Sequence, residues 1–188
     1  MATNARKPSA RRMRTDEGRA DRIAEAALAI IRANGVDGLT HRAVATEADV
    51  PLGSTTYHFS SREEILEAAF RRAVNEDRER VGRWVNGLPE SPDMPHELAR
   101  LVLRHAKDEP DTFRAYYELS VMAIERPRLQ PLAEEWAHVM TDAVERYLPT
   151  DTAEAVSVVY DGILLRVLGT GGLPSQRWIE SIFRRACV

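Results

Sequence analysis

The chain has 188 residues, of which 44% are hydrophobic and 29% are charged, so it can bury a core and is not expected to be disordered. Its single cysteine, Cys187, excludes an internal disulfide framework, and its formal net charge of −3 says little about nucleic acid until it is divided by region. Strong helix formers dominate, and valine or isoleucine rarely alternates with polar residues, which predicts an all-α protein.

The positive charge lies towards the N-terminal end. Residues 1–72 carry 12 Lys and Arg against 10 Asp and Glu, whereas residues 73–188 carry 14 against 19. Before any acid appears, residues 1–15 contain five basic side chains: Arg6, Lys7, Arg11, Arg12 and Arg14. We expect a flexible basic arm over residues 1–15, and composition leaves open whether this arm binds DNA or is only a solvated tail.

Three helices are predicted over residues 16–60. The first runs over about 16–34, where apolar residues recur on one face and a glycine follows. A short helix over 40–48 begins at a threonine suited to N-capping. A tight break at residues 49–51 then precedes a second short helix over about 52–58. This order of elements is typical of a helix-turn-helix domain.

A longer helix is predicted to begin after Ser60 and Ser61, because each serine stands three residues before a glutamate, as in a capping box. Five further helices are separated by prolines or glycines, near 93–106, 110–126, 128–148, 152–169 and 174–187. The sequence therefore predicts about nine helices, with residues 61–188 forming a C-terminal helical bundle.

The second short helix has the composition of a DNA-reading helix. A helix that enters the major groove needs small hydrogen-bonding groups and an aromatic side chain in place of bulky acids. These requirements are met by Gly53, Ser54, Thr55, Thr56, Tyr57 and His58.

The same region resembles the TetR family of one-component regulators. The resemblance is carried by Thr-His-Arg-Ala-Val-Ala-Thr-Glu-Ala-Asp-Val at 40–50, by Gly53-Ser54, and by Tyr-His-Phe-Ser-Ser-Arg-Glu-Glu-Ile-Leu at 57–66. It is specific over about residues 20–70. It implies an N-terminal three-helix DNA-binding domain joined to a C-terminal domain that binds a ligand and dimerises.

The chain departs from the family pattern at three positions. Asp49 replaces the usual glycine of the turn, and aspartate tolerates a left-handed conformation better than most residues. The usual aromatic falls at Thr56, with Tyr57 one residue later, which leaves open which of the two contacts phosphate. Arg62 replaces the commoner lysine and keeps a phosphate-binding charge.

The resemblance also implies roles for individual residues. Base or groove contacts are assigned to Ser54, Thr55 and Tyr57, and contacts nearer the DNA backbone to Thr40, Arg42, His58 and Arg62. Arg11, Arg12 and Arg14 are expected to enter a minor groove. Packing is the alternative role for His58, and Thr40 caps its helix under either interpretation.

The C-terminal helices carry apolar residues and a few polar tips that suit a small-molecule pocket. The candidate pocket residues are His105, Phe113, Tyr117, Ser120, Trp136 and Met140. A filled core with satisfied polar groups is the alternative for each of them.

Residues 152–187 are apolar over more than one helix face, and in the family the last two long helices pair with their copies. The resemblance therefore implies a homodimer through about 152–187. Asp161 and Arg166 are expected at the edge of that interface or in solvent.

Together, these features predict a cytoplasmic, homodimeric transcriptional regulator that binds a palindromic operator on double-stranded DNA and is released by an unidentified small-molecule effector. No membrane span, cofactor, metal site or enzymatic activity is expected, because the five histidines form no short-spaced metal set and no glycine-rich phosphate loop is present. The alternatives are a helical scaffold without specific DNA binding and an enzyme that works in the helical cavity.

Overall fold

The structure, a computed structural model, describes residues 10–187, with side chains over 18–187. Over this range it contains nine α-helices, two short 3-10 helices and no strand, which confirms the predicted all-α fold. None of the helices in this range is long and apolar enough to cross a membrane. The chain divides into two compact units between Ala69 and Phe70, inside the fourth helix.

The first unit contains α1 (Ala10–Asn34), α2 (His41–Glu47), α3 (Leu52–His58) and the start of α4 (Arg62–Asn86). Its core consists of side chains that are at most 2% exposed: Ile23, Leu28, Ile31, Leu39, Val44, Ile65 and Leu66. This apolar layer holds the two short helices against α1.

Helix α1 begins six residues earlier than the sequence predicted. Residues 10–15 were expected in the flexible arm, yet their backbone is helical. The segment Ala-Arg-Arg-Met-Arg contains only strong helix formers and no glycine or proline, so nothing stops the helix at Asp16. Helix α1 is therefore described from Ala10 onward, and residues 1–9 of the predicted arm lie outside the described residues.

The turn between α2 and α3 depends on Asp49, whose φ of 50° lies in the left-handed region. Aspartate can adopt this conformation at modest cost, as the sequence led us to expect. Arg22 of α1 supports the same turn, because its Nη2 donates to the carbonyl oxygens of Ala48 at 2.8 Å and Asp49 at 3.3 Å. These bonds give the two carbonyls just after α2 a charged partner.

Helix α4 begins with a serine cap. The Ser61 hydroxyl accepts a hydrogen bond from the Glu64 amide at 3.2 Å, as the predicted box requires. In a capping box the Glu64 carboxylate would accept from the amide of Ser61. Here it accepts instead from the amide and the hydroxyl of Ser60, at 2.7 and 2.8 Å. Ser60 therefore pairs with Glu64 and not with Glu63.

The second unit contains the rest of α4 and five further helices, namely α5 (Met94–Asp108), α6 (Pro110–Met122), α7 (Gln130–Val144), α8 (Thr150–Thr170) and α9 (Gln176–Ala186). Helix α8 is central, since it packs against α5, α6, α7 and α9. It ends at Thr170, and Gly171, whose φ is 66°, provides a left-handed C-cap.

Candidate functional site

Helix α3 presents one face to solvent. Tyr57 has 74% of its surface exposed and Leu52 has 46%, and Gly53 and Thr56 are also exposed. These four positions lie on one side of a helix with 3.6 residues per turn. A Cβ atom added at Gly53 would meet no other atom within 4 Å, so this face is open. A short helix with such a face can enter a DNA groove.

Thr55 lies on the opposite side of α3 and is fully buried. Its hydroxyl donates to the Leu52 carbonyl at 2.8 Å and lies 3.4 Å from Nδ1 of His41 in α2. This position contradicts the assignment of Thr55 to the groove. Each residue turns the helix by about 100°, so adjacent residues cannot all face outward.

The other predicted contacts of this unit differ in their surroundings. Thr40 is exposed, and its hydroxyl accepts from the Ala43 amide at 3.1 Å, so it caps α2 as predicted. Arg42 is exposed on α2, whereas Ser54 and His58 are half-buried. The predicted minor-groove contacts Arg11, Arg12 and Arg14 lie outside the residues whose side chains are described.

Arg62 holds the loop between α1 and α2. Its Nε donates to the Leu39 carbonyl at 2.8 Å, and its Nη2 donates to the Val36 carbonyl at 2.7 Å. The Nε–Nη2 edge of the guanidinium is therefore engaged within the protein. This geometry favours a structural role for Arg62 over the phosphate contact that the sequence suggested.

The interior of the second unit contains a buried carboxylate, Asp77 of α4, which is 6% exposed. Its Oδ2 accepts from Nε1 of Trp136 at 2.9 Å, and its Oδ1 accepts from Nη1 of Arg80 at 3.0 Å. Burial raises the pKa of Asp77, and the bonds from Trp136 and Arg80 oppose that rise. Arg80 also donates from Nε to Glu109 at 3.0 Å.

A second carboxylate, Asp161 of α8, faces the same interior. Its Oδ1 accepts from the Tyr117 hydroxyl at 3.0 Å. Burial raises the pKa of Asp161 to about 6, the hydrogen bond from Tyr117 lowers it, and the charge of Asp77 raises it. Asp161 is therefore half-buried and hydrogen-bonded within the protomer, and its place at an interface edge stays a prediction. Arg166 is exposed, with its guanidinium 5.9 Å from the centre of the Trp178 ring.

His105 of α5 is fully buried beside these acids. Its ring stacks on Phe113 at 4.3 Å between centres, and its Nδ1 is hydrogen-bonded with the Tyr160 hydroxyl. Burial, followed by the charges of Arg104 and Arg80, lowers the pKa of His105 to about 3, so the imidazole is neutral near pH 7.

Asp77, Trp136 and Asp161 line a small cavity whose volume is about 10 Å³, enough for no more than one water molecule. Helices α4, α6, α7 and α8 supply its lining residues, which are Asp77, Val81, Phe113, Trp136, Ala137, Met140, Ser157, Tyr160 and Asp161. Two acids, three aromatic rings and aliphatic side chains thus share one nearly closed space. No group of three His, Cys, Asp or Glu side chains within the described range is placed to hold a metal ion.

Comparison with known proteins supplies the family. Residues 90–187 match the pattern described as "Tetracyclin repressor-like, C-terminal domain", and residues 23–69 match "Bacterial regulatory proteins, tetR family". The chain belongs to the TetR family. It is therefore a DNA-binding, ligand-responsive transcriptional regulator, as the sequence predicted.

Several relatives of this TetR-family regulator are known. The nicotine-responsive transcriptional repressor HdnoR of Paenarthrobacter nicotinovorans is 22% identical over 171 residues, which cover 85% of this chain and 88% of HdnoR. A TetR-family member from Streptomyces coelicolor A3 is 36% identical, with a TM-score of 0.75 over 90% of this chain and 98% of that one.

The multidrug binding protein EbrR has been solved with several small molecules. Its imidazole complex is 35% identical to this chain, with a TM-score of 0.80 over 100% of this chain and 97% of EbrR. Other structures of EbrR contain ethidium, proflavin or malachite green.

The regulator brings together part of the pocket that the sequence suggested. Phe113, Trp136 and Met140 line the cavity. His105 and Tyr117 contact lining residues, through the stack on Phe113 and the bond to Asp161 respectively. Ser120 is half-buried on α6 and is not a lining residue.

Sequence reasoning missed the charged part of this site, which consists of Asp77, Arg80 and Asp161. A signal for Asp77 was present, because it follows Val74 by three residues and precedes Val81 by four, which places an acid on the apolar face of α4. No such signal was present for Asp161. The apolar residues of α8 cover more than one face, so their spacing does not show whether the Asp161 side chain faces the interior or solvent.

Proposed function

We propose that this TetR-family regulator is a cytoplasmic repressor that binds a palindromic operator as a homodimer and is released by a small-molecule effector. The observation that carries the DNA-binding part is the open outer face of α3, with Tyr57 74% exposed above a fully buried Thr55. A short helix whose exposed face carries hydrogen-bonding groups and an aromatic side chain is what the major groove admits.

The contacts are divided by position. We assign groove contacts to Thr56 and Tyr57, which share the exposed face, with Ser54 at its edge. Thr40 and Arg42, exposed at the start of α2, are assigned to phosphates, where they fix the position of the protein without reading sequence. His58 and the arm residues Arg11, Arg12 and Arg14 remain candidates for further backbone and minor-groove contacts.

A second copy of the chain is the proposed partner of helix α8. Five small or apolar residues are exposed along one side of it at alternating spacings of three and four: Ala155, Val158, Gly162, Leu165 and Gly169. Val158 is 74% exposed and Leu165 is 50% exposed. A Cβ atom added at Gly162 or Gly169 would meet nothing within 4 Å, so another helix has room to approach. This pattern supports an interface formed by residues 152–187 of two protomers.

The proposed effector is a flat aromatic cation. Phe113, Trp136 and Tyr160 offer aromatic faces, and Asp77 and Asp161 offer negative charge in the same interior. The complexes of EbrR with ethidium, proflavin and malachite green support this class, because all three dyes are aromatic cations.

The proposed mechanism follows from two-fold symmetry. A dimer places its recognition helices about 34 Å apart, so that they enter successive major grooves. An effector that binds better to a form with another spacing moves the population away from DNA by the difference between its two affinities. Helix α4 contributes residues to both compact units, and we propose that it carries the change.

The test is selection of bound duplexes from a random pool, followed by release of the selected duplex with ethidium. A two-fold symmetric consensus, and release that saturates with dye, are expected. Recovery of no preferred sequence would contradict the proposed function, as would a selected site without two-fold symmetry.

A further inference from the structure

Arg80 occupies surroundings that suit a bound organic cation. Its side chain is only 15% exposed, and its guanidinium pairs with Asp77 and with Glu109, each at 3.0 Å. Its Cζ lies 5.6 Å from the centre of the Phe113 ring and 5.7 Å from that of Tyr116. Carboxylates on one side and aromatic faces on the other are the elements from which cation sites are built.

The acids in this interior exceed the cations available to them. Arg80 is shared between Asp77 and Glu109. The Asp161 carboxylate has no ion-pair partner among the described residues, and it accepts a hydrogen bond from the Tyr117 hydroxyl. A half-buried carboxylate without a cation is partly desolvated and uncompensated, so a positive charge that entered the cavity would be stabilised.

His105 provides an independent sign that the interior is incomplete. It is fully buried, and its Nε2 has no hydrogen-bond partner within the described part of the chain. Its ring stacks on Phe113 and its other nitrogen is bonded with Tyr160, and both of these residues line the cavity. Buried polar atoms without partners are rare in finished cores. This nitrogen is therefore a buried hydrogen-bonding position that the described residues leave unfilled.

We propose that Arg80 is an internal competitor of the effector, and that a cationic effector takes the place of its guanidinium beside Asp77. This inference rests on the proposed function, since it concerns the same effector site. The side chain of Asp77 is 8% exposed and that of Glu109 is 33% exposed, so Arg80 keeps a carboxylate partner nearer solvent when it leaves Asp77. The apparent affinity of the effector is then its intrinsic affinity multiplied by the fraction of molecules in which Arg80 is not paired with Asp77.

The first test is the Arg80→Met variant, with ethidium binding measured by fluorescence on the purified full chain. Removal of the competing guanidinium is expected to tighten ethidium binding by about tenfold or more. Binding of acridone, a flat neutral aromatic, is expected to change much less. The double variant Arg80→Met/Asp77→Asn is expected to lose the gain for ethidium, because the vacated charge partner is then neutral.

The second test keeps Arg80 and changes its outer partner. Glu109→Gln removes the carboxylate that receives the displaced guanidinium, so ethidium binding is expected to weaken. The two single variants therefore move ethidium affinity in opposite directions, whereas a purely structural role of Arg80 would weaken binding in both. Should Arg80→Met fail to fold by circular dichroism, Arg80→Gln, which also removes the charge, takes its place, and ethidium binding equal to or weaker than that of the wild type overturns the proposal.

The outcomes for the wild-type chain distinguish the two proposals. If it binds its selected operator but no ethidium, the cationic effector class fails and the competition fails with it. If it binds ethidium and folded Arg80→Met binds the dye equally or more weakly, the competition alone is overturned.

Discussion

Two arginines of the first unit illustrate how similar residues acquire different roles. Arg42 is exposed on α2 and has solvent around its guanidinium, whereas Arg62 donates to the carbonyl oxygens of Val36 and Leu39. A guanidinium whose Nε–Nη2 edge is already engaged has fewer N–H groups left for a phosphate. The sequence alone could not separate the two, because both stand near helix starts in the region that resembles the family.

Exchange of each arginine for glutamine tests this division. Arg42→Gln is expected to weaken operator binding and to reduce the slope of log affinity against log salt by about 1, the effect of one lost phosphate contact. Arg62→Gln is expected to leave that slope unchanged and to lower the free energy of unfolding by about 1–2 kcal/mol. Fluorescence anisotropy over a salt series and thermal denaturation give the two quantities. A reduced slope in both variants would contradict the structural role of Arg62.

The pH dependence of effector binding should report on Asp161. Burial raises its pKa to about 6, so its carboxyl group is charged above that pH and neutral below it. The titratable groups that face it are Asp77 of α4, Tyr117 of α6 and Tyr160 of α8, and His105, bonded to Tyr160, stays neutral with a pKa of about 3.

Ethidium carries a permanent charge, so its affinity is expected to fall as the pH drops from 8 to 5, by no more than about tenfold per pH unit for a single group. Asp161→Asn is expected to bind ethidium more weakly at pH 8 and to flatten most of this dependence. Titrations by fluorescence at several pH values measure both. An identical pH profile in the wild type and in Asp161→Asn would exclude this role of Asp161.

At the scale of elements, the sequence predicted the short helices of the first unit closely. Helix α3 begins and ends at Leu52 and His58, as expected, because a proline precedes it and its last residues meet the next cap. The start of α1 was misplaced, since helix formers upstream of Asp16 offer no stop. Composition could not predict which residues of α3 are exposed. Thr55 and Thr56 are the same residue type, yet Thr55 is buried and Thr56 is exposed because they lie on different sides of the helix.

The turn between α2 and α3 gives a test of backbone conformation. Asp49→Val places a β-branched residue at a φ of 50° and is expected to cost about 1–2 kcal/mol of stability. Asp49→Gly serves as the control and is expected to be tolerated, because glycine adopts this conformation freely. Chemical denaturation measures both, and equal stability of the two variants would show that the turn is not limited by its left-handed residue.

At the scale of the whole chain, the fold was more predictable than the effector site. Helix punctuation by prolines and glycines fixed the number and order of helices, and these signals are local. The effector site depends on which side chains of α4, α6, α7 and α8 meet, which one sequence does not specify. Aromatic residues such as Phe113 and Trp136 were found by their spacing, whereas the half-buried acid Asp161 looked like a solvated residue.

The proposed dimer can be tested with two matched valines. Val158 of α8 and Val121 of α6 are 74% and 58% exposed, so neither substitution disturbs the core of the protomer. Val158→Asp places a charge in the proposed interface and is expected to yield a monomer, whereas Val121→Asp is expected to remain a dimer. Light scattering after size exclusion should give twice the chain mass of 21.2 kDa for the wild type. A wild-type monomer, or a dimeric Val158→Asp variant, would rule out this interface.

The closed interior of the second unit also governs how fast the protein can respond. A cavity of about 10 Å³ cannot admit a dye by simple diffusion, so the helices around it must part first. The observed rate of association should then rise with dye concentration only until it reaches the rate of that opening, and level off there. Stopped-flow mixing would reveal the plateau. At dye concentrations above the plateau, the delay before induction is set by the rate at which the helices part and no longer by the concentration of dye.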